Sequence, residues 1–94
     1  MTGPAVSVIV PVLNGAGYLR DSIGSAVAQT MLPTEIIIVD DGSSDGSSAL
    51  AESIETPFAK RLLRQNNRGQ SAARNLAASV ATGTYLAFLD HDDI

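Results

Sequence analysis

Cysteine and tryptophan are absent from this chain of 94 residues, and aromatic residues make up only 4% of it. Without cysteine the protein cannot build a disulfide framework or a thiolate metal site, and its composition fits a reducing compartment. The core must therefore come from aliphatic side chains, in keeping with a hydrophobic content of 45%. Strands that are covered by helices on both faces have this aliphatic composition.

Basic residues are also scarce, because six Lys and Arg stand against ten Asp and Glu, for a net charge of -4. No basic stripe could neutralise a nucleic-acid backbone, so we exclude nucleic acid as a partner. No apolar run approaches the about 20 residues that span a bilayer, and residues 1–4 lack the charged start of a signal peptide. We expect a cytoplasmic location, with peripheral membrane association open for a longer protein.

Four apolar segments predict buried strands, and the segments between them have apolar residues at helical spacing. The predicted strands are 6–10, 36–39, 61–64 and 85–89, and the charged flanks of the third are typical of an edge strand. The first helix is predicted over about 17–29. Ser43 and Ser44 are predicted to cap the second helix, and Gly83 to end the third.

This β-α-β-α-β-α-β order predicts one α/β domain over residues 1–94, a Rossmann-like, mostly parallel sheet with helices on both faces. If strands 1, 2 and 3 wind outward and strand 4 lies on the other side of strand 1, the strand order reverses between strands 1 and 4. In such sheets ligands bind beyond the carboxyl ends of the strands, where the strand order reverses. The residues that follow each strand are therefore the candidates for a site.

Acidic residues follow two of these strands: Asp40 and Asp41 follow strand 2, and Asp90, Asp92 and Asp93 follow strand 4. Clustered carboxylates repel each other and are costly to desolvate unless a counter-ion compensates them. Oxygen-only ligation favours Mg²⁺ or Mn²⁺, and surplus oxygens can accept hydrogen bonds from a sugar or a base. The structural alternative is an acidic turn that caps a helix.

Four segments together resemble the nucleotide-sugar-binding half of the family-2 glycosyltransferases. They are VIVPVLN (8–14), IVDDGSSDG (38–46), NRGQSAARN (67–75) and FLDHDD (88–93). The resemblance implies an A-type glycosyltransferase fold, a nucleoside diphosphate sugar donor, often with uracil as its base, and usually inversion at the anomeric carbon.

The resemblance also implies roles for individual residues. Asp41 matches the acid that contacts the base, and Pro11 and Asn14 sit where the family lines the nucleotide pocket. Asp90 matches the first acid of the Asp-x-Asp motif, near the ribose or sugar, and Asp92 the acid that meets the metal on the diphosphate. Mn²⁺ or Mg²⁺ is therefore the implied cofactor.

Other positions near these motifs are less specific. Arg68 and Arg74 are candidates to bind the diphosphate, although Arg74 could instead pair with a carboxylate at the strand ends. Leu13 departs from the family pattern, in which an aromatic residue often packs against the base. His91 is expected to face solvent.

No residue of the chain is a candidate for the general base, which the resemblance places in an acceptor half beyond residue 94. We therefore expect a fragment that binds its donor without turnover. The acceptor, a saccharide, lipid or protein hydroxyl, is not specified by the sequence. The uncovered outer edge of strand 4 and one uncovered face of the sheet predict a homodimer or aggregation.

Two alternatives remain open at this point. A magnesium-dependent phosphotransfer or receiver-type domain also gathers acids at strand ends, but it would need an acidic pair after strand 1 and a lysine beside it. Lys60, the only lysine, precedes predicted strand 3. The other alternative is a non-catalytic module that uses this surface for assembly.

Overall fold

The computed structural model of this chain describes residues 5–15, 17, 19, 21, 23–24, 33–83 and 85–88. Its strands are β1 (Val6–Val12), β2 (Glu35–Asp40), β3 (Ala59–Arg64) and β4 (Tyr85–Phe88). All neighbouring strands pair in parallel, in the order β3-β2-β1-β4. The predicted strand order and the edge position of β3 are therefore confirmed.

Two helices have described bounds, α1 (Ser47–Ser53) and α2 (Gln70–Val80). Between β1 and β2, the described residues Gly17, Leu19, Asp21, Ile23 and Gly24 are helical, and the rest of the predicted first helix lies outside the described residues. Within the described part of the chain, no helix has the length and apolar content to cross a membrane.

The central strands bury both of their faces, as their continuous β-branched runs predict. On one face β1 and β2 pack with Leu19, Ile23 and Ala51, and on the other with Ala73 and Ala77 of α2. The register aligns like with like, since Val8 pairs with Ile36 and Ile9 with Ile37. The predicted three-layer α/β architecture is thus confirmed.

The predicted helix ends are wrong at both positions. The residue before α1 is Gly46, at φ 86°, with no side-chain cap, and Ser43 and Ser44 lie further upstream. Asp45 Oδ1 instead accepts hydrogen bonds from Ser47 N (3.0 Å) and Ser47 Oγ (2.5 Å). Helix α2 ends at Val80 and is followed by extended backbone, so Gly83 does not terminate it.

Gly83 is instead the point where the chain passes closest to β1. Its N–H donates to Ser7 Oγ at 2.9 Å. A Cβ atom at this position would lie 2.6 Å from Ser7 Oγ and 2.7 Å from Ser7 N. The approach to β4 therefore requires a residue without a side chain here.

A buried carboxylate that sequence reasoning missed joins the amino ends of the strands. Glu35 is 2% exposed, and its Oε2 accepts from Ser7 Oγ (2.8 Å), Thr82 N (2.7 Å) and Thr82 Oγ1 (2.9 Å). Its Oε1 lies 3.3 Å from Arg61 Nε. Burial alone would raise the pKa of Glu35, but the hydrogen bonds from Thr82 and Ser7 outweigh it and hold the pKa below 4.5. This network links β1, β2, β3 and the segment before β4.

Gly83→Ala should lower the free energy of unfolding by about 1 to 3 kcal/mol, because the added methyl overlaps Ser7 in a packed strand. Gly24→Ala is the matched control, since Gly24 is helical and nothing lies within 4 Å of the added atom. We expect that change to stabilise by about 0.5 to 1 kcal/mol. Chemical denaturation measures both, and equal effects would contradict the close approach.

The lowered pKa of Glu35 predicts a loss of stability in acid. A carboxylate whose pKa is lower in the folded than in the unfolded state stabilises fully above the unfolded value and progressively less as pH falls through the folded value. Glu35→Gln should cost about 1 to 3 kcal/mol at neutral pH, and its stability should fall less below pH 4.5. Glu55→Gln, at an exposed position, should follow the wild-type curve in denaturation measured against pH.

Candidate functional site

Three loops meet at the carboxyl ends of β1, β2 and β3, and we call this edge of the sheet the rim. The first rim loop is 13–15, the second is 41–46 and the third is 65–69. Parallel pairing brings these strand ends together, since Val12 of β1 pairs with Asp40 of β2 and Asp40 with Arg64 of β3. The loops that follow the strands are therefore neighbours in space.

Asn14 fastens the first rim loop to the second. Its N–H donates to Ser43 Oγ and its Oδ1 accepts from Ser44 N, each at 2.8 Å. Its φ of 51° lies in the left-handed region, which asparagine tolerates better than most residues. The next residue adds a third link, because Gly15 N donates to Ser47 Oγ at 3.2 Å. Ser43 and Ser44 serve this junction, which explains why neither caps α1.

The side chain of Asp40 fixes the second rim loop by accepting hydrogen bonds from residues that follow it in the chain. Its side chain is nearly buried, with Oδ1 accepting from Ser43 N at 2.8 Å and Oδ2 from Ser48 Oγ at 2.5 Å. Burial alone would raise the pKa of Asp40, but the hydrogen bonds from Ser43 and Ser48 and the charge of Arg64 together lower it. The carboxylate is therefore ionised and is committed to the second rim loop, through Ser43, and to the first turn of α1, through Ser48.

Asp41 holds the third rim loop across the sheet. Its carboxylate is 6% exposed, with Oδ1 accepting from Arg68 N (2.7 Å) and Gln65 Nε2 (2.9 Å) and Oδ2 from Gly69 N (3.0 Å). Burial alone would raise the pKa of Asp41, but these three donors outweigh it and the pKa is lowered. Gly69 has a φ of 91°, which favours glycine and turns its N–H toward the carboxylate.

A cavity of about 260 Å³ opens beside Asp41. It is lined by Pro11, Val12, Leu13, Asp41, Gly69, Gln70 and Ala73. A carboxylate has about four lone-pair sites, and three of those on Asp41 are used, which leaves one on Oδ2. Pro11 and Asp41, both predicted to bind the nucleotide, are thus brought together, and Leu13, 50% exposed, offers an aliphatic surface.

The two predicted phosphate-binding arginines have different surroundings. Arg68 is exposed and lines a separate cavity of about 360 Å³ together with Arg64. The guanidinium of Arg74, on α2, lies 5.4 Å from the centre of the Phe88 ring, at the last described residue of β4. This contact places Arg74 close to where the chain enters the Asp-x-Asp motif. Asp90, His91, Asp92 and Asp93 themselves lie outside the described residues.

Metal ligation was assigned from the sequence to Asp90 and Asp92. Within residues 5–15, 33–83 and the other described positions, no three Asp, Glu or His side chains are grouped so that they could hold a metal ion. The carboxylates of Asp40 and Asp41 already accept hydrogen bonds from the main chain and side chains around them.

Lys60 bears on the phosphotransfer alternative. Its Nζ donates to Ala51 O (2.7 Å), Glu52 O (3.1 Å) and Ile54 O, so it binds the carboxyl end of α1. The only lysine of the chain therefore serves a helix end and is not a rim group that could contact a phosphate.

The model of the family described as "Glycosyl transferase family 2" matches residues 7–94. The chain belongs to this family. It is 42% identical over 91 residues to the uncharacterized glycosyltransferase EpsJ of Bacillus subtilis, covering 96% of this chain and 26% of EpsJ. It is 44% identical over 89 residues to the uncharacterized glycosyltransferase YibD of Escherichia coli, covering 94% of this chain and 26% of YibD.

A third relative, an uncharacterized glycosyltransferase of Rickettsia bellii, is 40% identical over 91 residues, which are 97% of this chain and 13% of the relative. The chain thus spans about a quarter or less of the length of these three relatives. The family match covers β1 from its second residue, β2, β3, β4 and all three rim loops.

Gln65 is the rim residue that sequence reasoning missed. Its side-chain amide donates to Asp41 Oδ1 (2.9 Å) and to Gly69 O (3.2 Å). The one signal in the sequence is a polar amide at the end of a strand, directly before the Asn66-Asn67 turn. That signal identifies a loop residue but not its partner, which lies 24 residues away in the chain.

The two rim acids should control different loops. In Asp41→Asn the amide group replaces one acceptor oxygen, so hydrogen exchange at Arg68 and Gly69 N–H should accelerate about tenfold or more, since hydrogen bonds to charged groups contribute about 1.5 to 3 kcal/mol. Asp40→Asn should instead accelerate exchange at Ser43 N–H and leave the third rim loop protected. Native-state exchange by NMR measures both, and a shared response would contradict the separate roles.

Proposed function

We propose that this family-2 chain provides the donor-binding part of a glycosyltransferase that moves a sugar from a uridine diphosphate sugar to an acceptor hydroxyl, with inversion. The observation that carries the proposal is that Asp41 lines a cavity with mostly apolar walls, while its hydrogen bonds leave one acceptor position unused, on Oδ2. Uracil matches it, because its ring presents one N–H donor on a flat, mostly apolar surface. A cavity of about 260 Å³ suits a base, a part of a ligand rather than the whole.

The remainder of the donor would lie along the rim toward β4. In the proposal Pro11 and Asn14 line the nucleotide pocket, and Arg68 and Arg74 neutralise the diphosphate, since guanidinium groups pair well with phosphate oxygens. The contact of Arg74 with Phe88 supports this direction, because it holds the arginine beside the end of β4. Asp40 acts indirectly, by fixing the second rim loop.

A divalent cation, Mg²⁺ or Mn²⁺, is part of the proposal. Following the resemblance to the Asp-x-Asp motif, Asp90 and Asp92 would hold it, with Asp90 also near the ribose or sugar. A bound cation of this kind stabilises negative charge on the leaving diphosphate as a Lewis acid. We assign the general base to none of these residues.

A cytoplasmic location and self-association are both predictions. Among the described side chains, Tyr85, Leu86 and Phe88 of β4 are 61%, 39% and 41% exposed, and β4 lies at one edge of the described sheet. These exposed apolar groups support the predicted homodimer, which light scattering tests directly.

Titration of the ¹⁵N-labelled chain with UDP tests the proposal. With Mg²⁺ present we expect shifts at the amides of Leu13, Gly69 and Ala73, which surround the cavity, at millimolar or weaker affinity because the contact area is small. Asp41→Asn should abolish these shifts, and Asp92→Asn should remove their dependence on Mg²⁺.

Glu55→Gln, an exposed substitution, is the control and should titrate as the wild type does. The absence of shifts around the cavity at about 10 mM UDP, near the weak limit expected for so small a contact, would reject the nucleotide assignment. Shifts that do not depend on Mg²⁺ would retain the nucleotide but reject the metal.

A further inference from the structure

We infer that Gln65 is a positioning residue that sets base selectivity, because it occupies Asp41 Oδ1 and leaves only Oδ2 to meet a ligand. The inference rests on the proposed nucleotide site. It assigns a role in that site to Gln65, which is not part of the wall of the cavity beside Asp41. Any effect it has on a base in this cavity must therefore pass through the two lining residues that its amide contacts, Asp41 and Gly69.

Gln65 is held at three points. A side-chain amide has two N–H hydrogens, and those of Gln65 are directed to Asp41 Oδ1 at 2.9 Å and Gly69 O at 3.2 Å. Its backbone N–H donates to Asp40 O at 2.9 Å, which continues the register of β3 beside β2. The side chain is half-buried. Its amide therefore has no freedom to turn away without losing two hydrogen bonds.

This arrangement determines what Asp41 offers to the cavity. Oδ1 accepts from both Gln65 and Arg68 and is fully used, whereas Oδ2 accepts only from Gly69. Asp41, which lines the cavity, therefore has one unused charged acceptor position, on Oδ2, and no donor. A uracil ring, with N–H at position 3, satisfies it. A cytosine ring presents an acceptor nitrogen at the same position, which would leave two lone pairs facing each other.

Loss of the Gln65 amide should weaken that selectivity. Oδ1 would then have an unused lone pair, and the carboxylate could turn or take up a proton. A protonated carboxyl group can donate to the ring nitrogen of cytosine, so the penalty against cytosine would fall. The Gln65 hydrogen bond is also one of the causes that lower the pKa of Asp41. Its removal should move that pKa upward.

The experiment compares UDP and CDP affinities by chemical-shift titration, with Mg²⁺ present, for the wild type and Gln65→Met. Methionine keeps the length of glutamine and has no donor. We expect the wild type to prefer UDP and the ratio of the two dissociation constants to narrow about tenfold in Gln65→Met. Asn66→Leu is the matched control, because it removes an exposed side-chain amide from the next residue of the same loop, and it should keep the wild-type ratio.

A second variant gives a pH-dependent test. Gln65→Glu keeps the shape but places a second carboxylate against Asp41, and the pair should retain a shared proton more readily than either group alone. Below about pH 6 the introduced carboxyl can donate to Oδ1 as the amide does, so the UDP preference should return. Above about pH 8 it should be lost. A role limited to loop stability would not produce this recovery.

A ligand-free measurement separates this inference from the proposed function. Titration of the Asp41 carboxyl carbon by ¹³C NMR should show a higher pKa in Gln65→Met than in the wild type. If the wild type binds neither nucleotide, the proposed function fails, and this titration still decides whether Gln65 positions Asp41. A folded Gln65→Met with the wild-type Asp41 pKa would overturn the inference, as would equal weakening of UDP and CDP with no change in their ratio.

Discussion

The buried carboxylate of Asp41 is the interaction on which the site depends. A desolvated charge is costly unless hydrogen bonds replace its hydration, and here Gln65, Arg68 and Gly69 replace it. Those donors come from one loop that follows a neighbouring strand, so the energy that stabilises the charge also fixes the loop. The cavity beside Asp41 is partly walled by the same loop, through Gly69. Fold stability and ligand geometry are therefore set by the same contacts.

Strand β2 has a buried carboxylate that is stabilised by hydrogen bonds at each of its ends. It begins with Glu35 and ends with Asp40, followed by Asp41, and the four residues between are fully buried and apolar. Each buried acid accepts hydrogen bonds from segments that are distant in sequence or that closely follow it. Hydrogen-bonded carboxylates therefore lie at both ends of the apolar part of β2. The acid at the amino end ties strands together. The acids at the carboxyl end shape the loops, and this is the end where ligands of such sheets bind.

Strand positions, strand order and the two apolar faces were predictable from the sequence, because β-branched runs and alternating crossovers constrain them locally. The helix ends were not, since Ser43 and Ser44 are used by Asn14, about 30 residues away. The role of Gly83 depends on its approach to Ser7, which no local pattern encodes. Asp41 was predicted to bind the nucleotide. Its other role, holding the third rim loop together with Gln65, becomes visible only when β2 and β3 are paired.

A single charged acceptor among apolar walls discriminates between ligands chiefly by weakening the binding of those that lack a matching donor. A ligand with a matching N–H replaces a hydrogen bond to water with one to Asp41, and the net gain is small. A ligand without it leaves a buried charge with an unmet acceptor and loses considerably more. Selection of this kind requires that the acceptor cannot turn to find another partner. The contacts that immobilise Asp41 are therefore as important for selectivity as the atom that meets the ligand, even though they lie behind it.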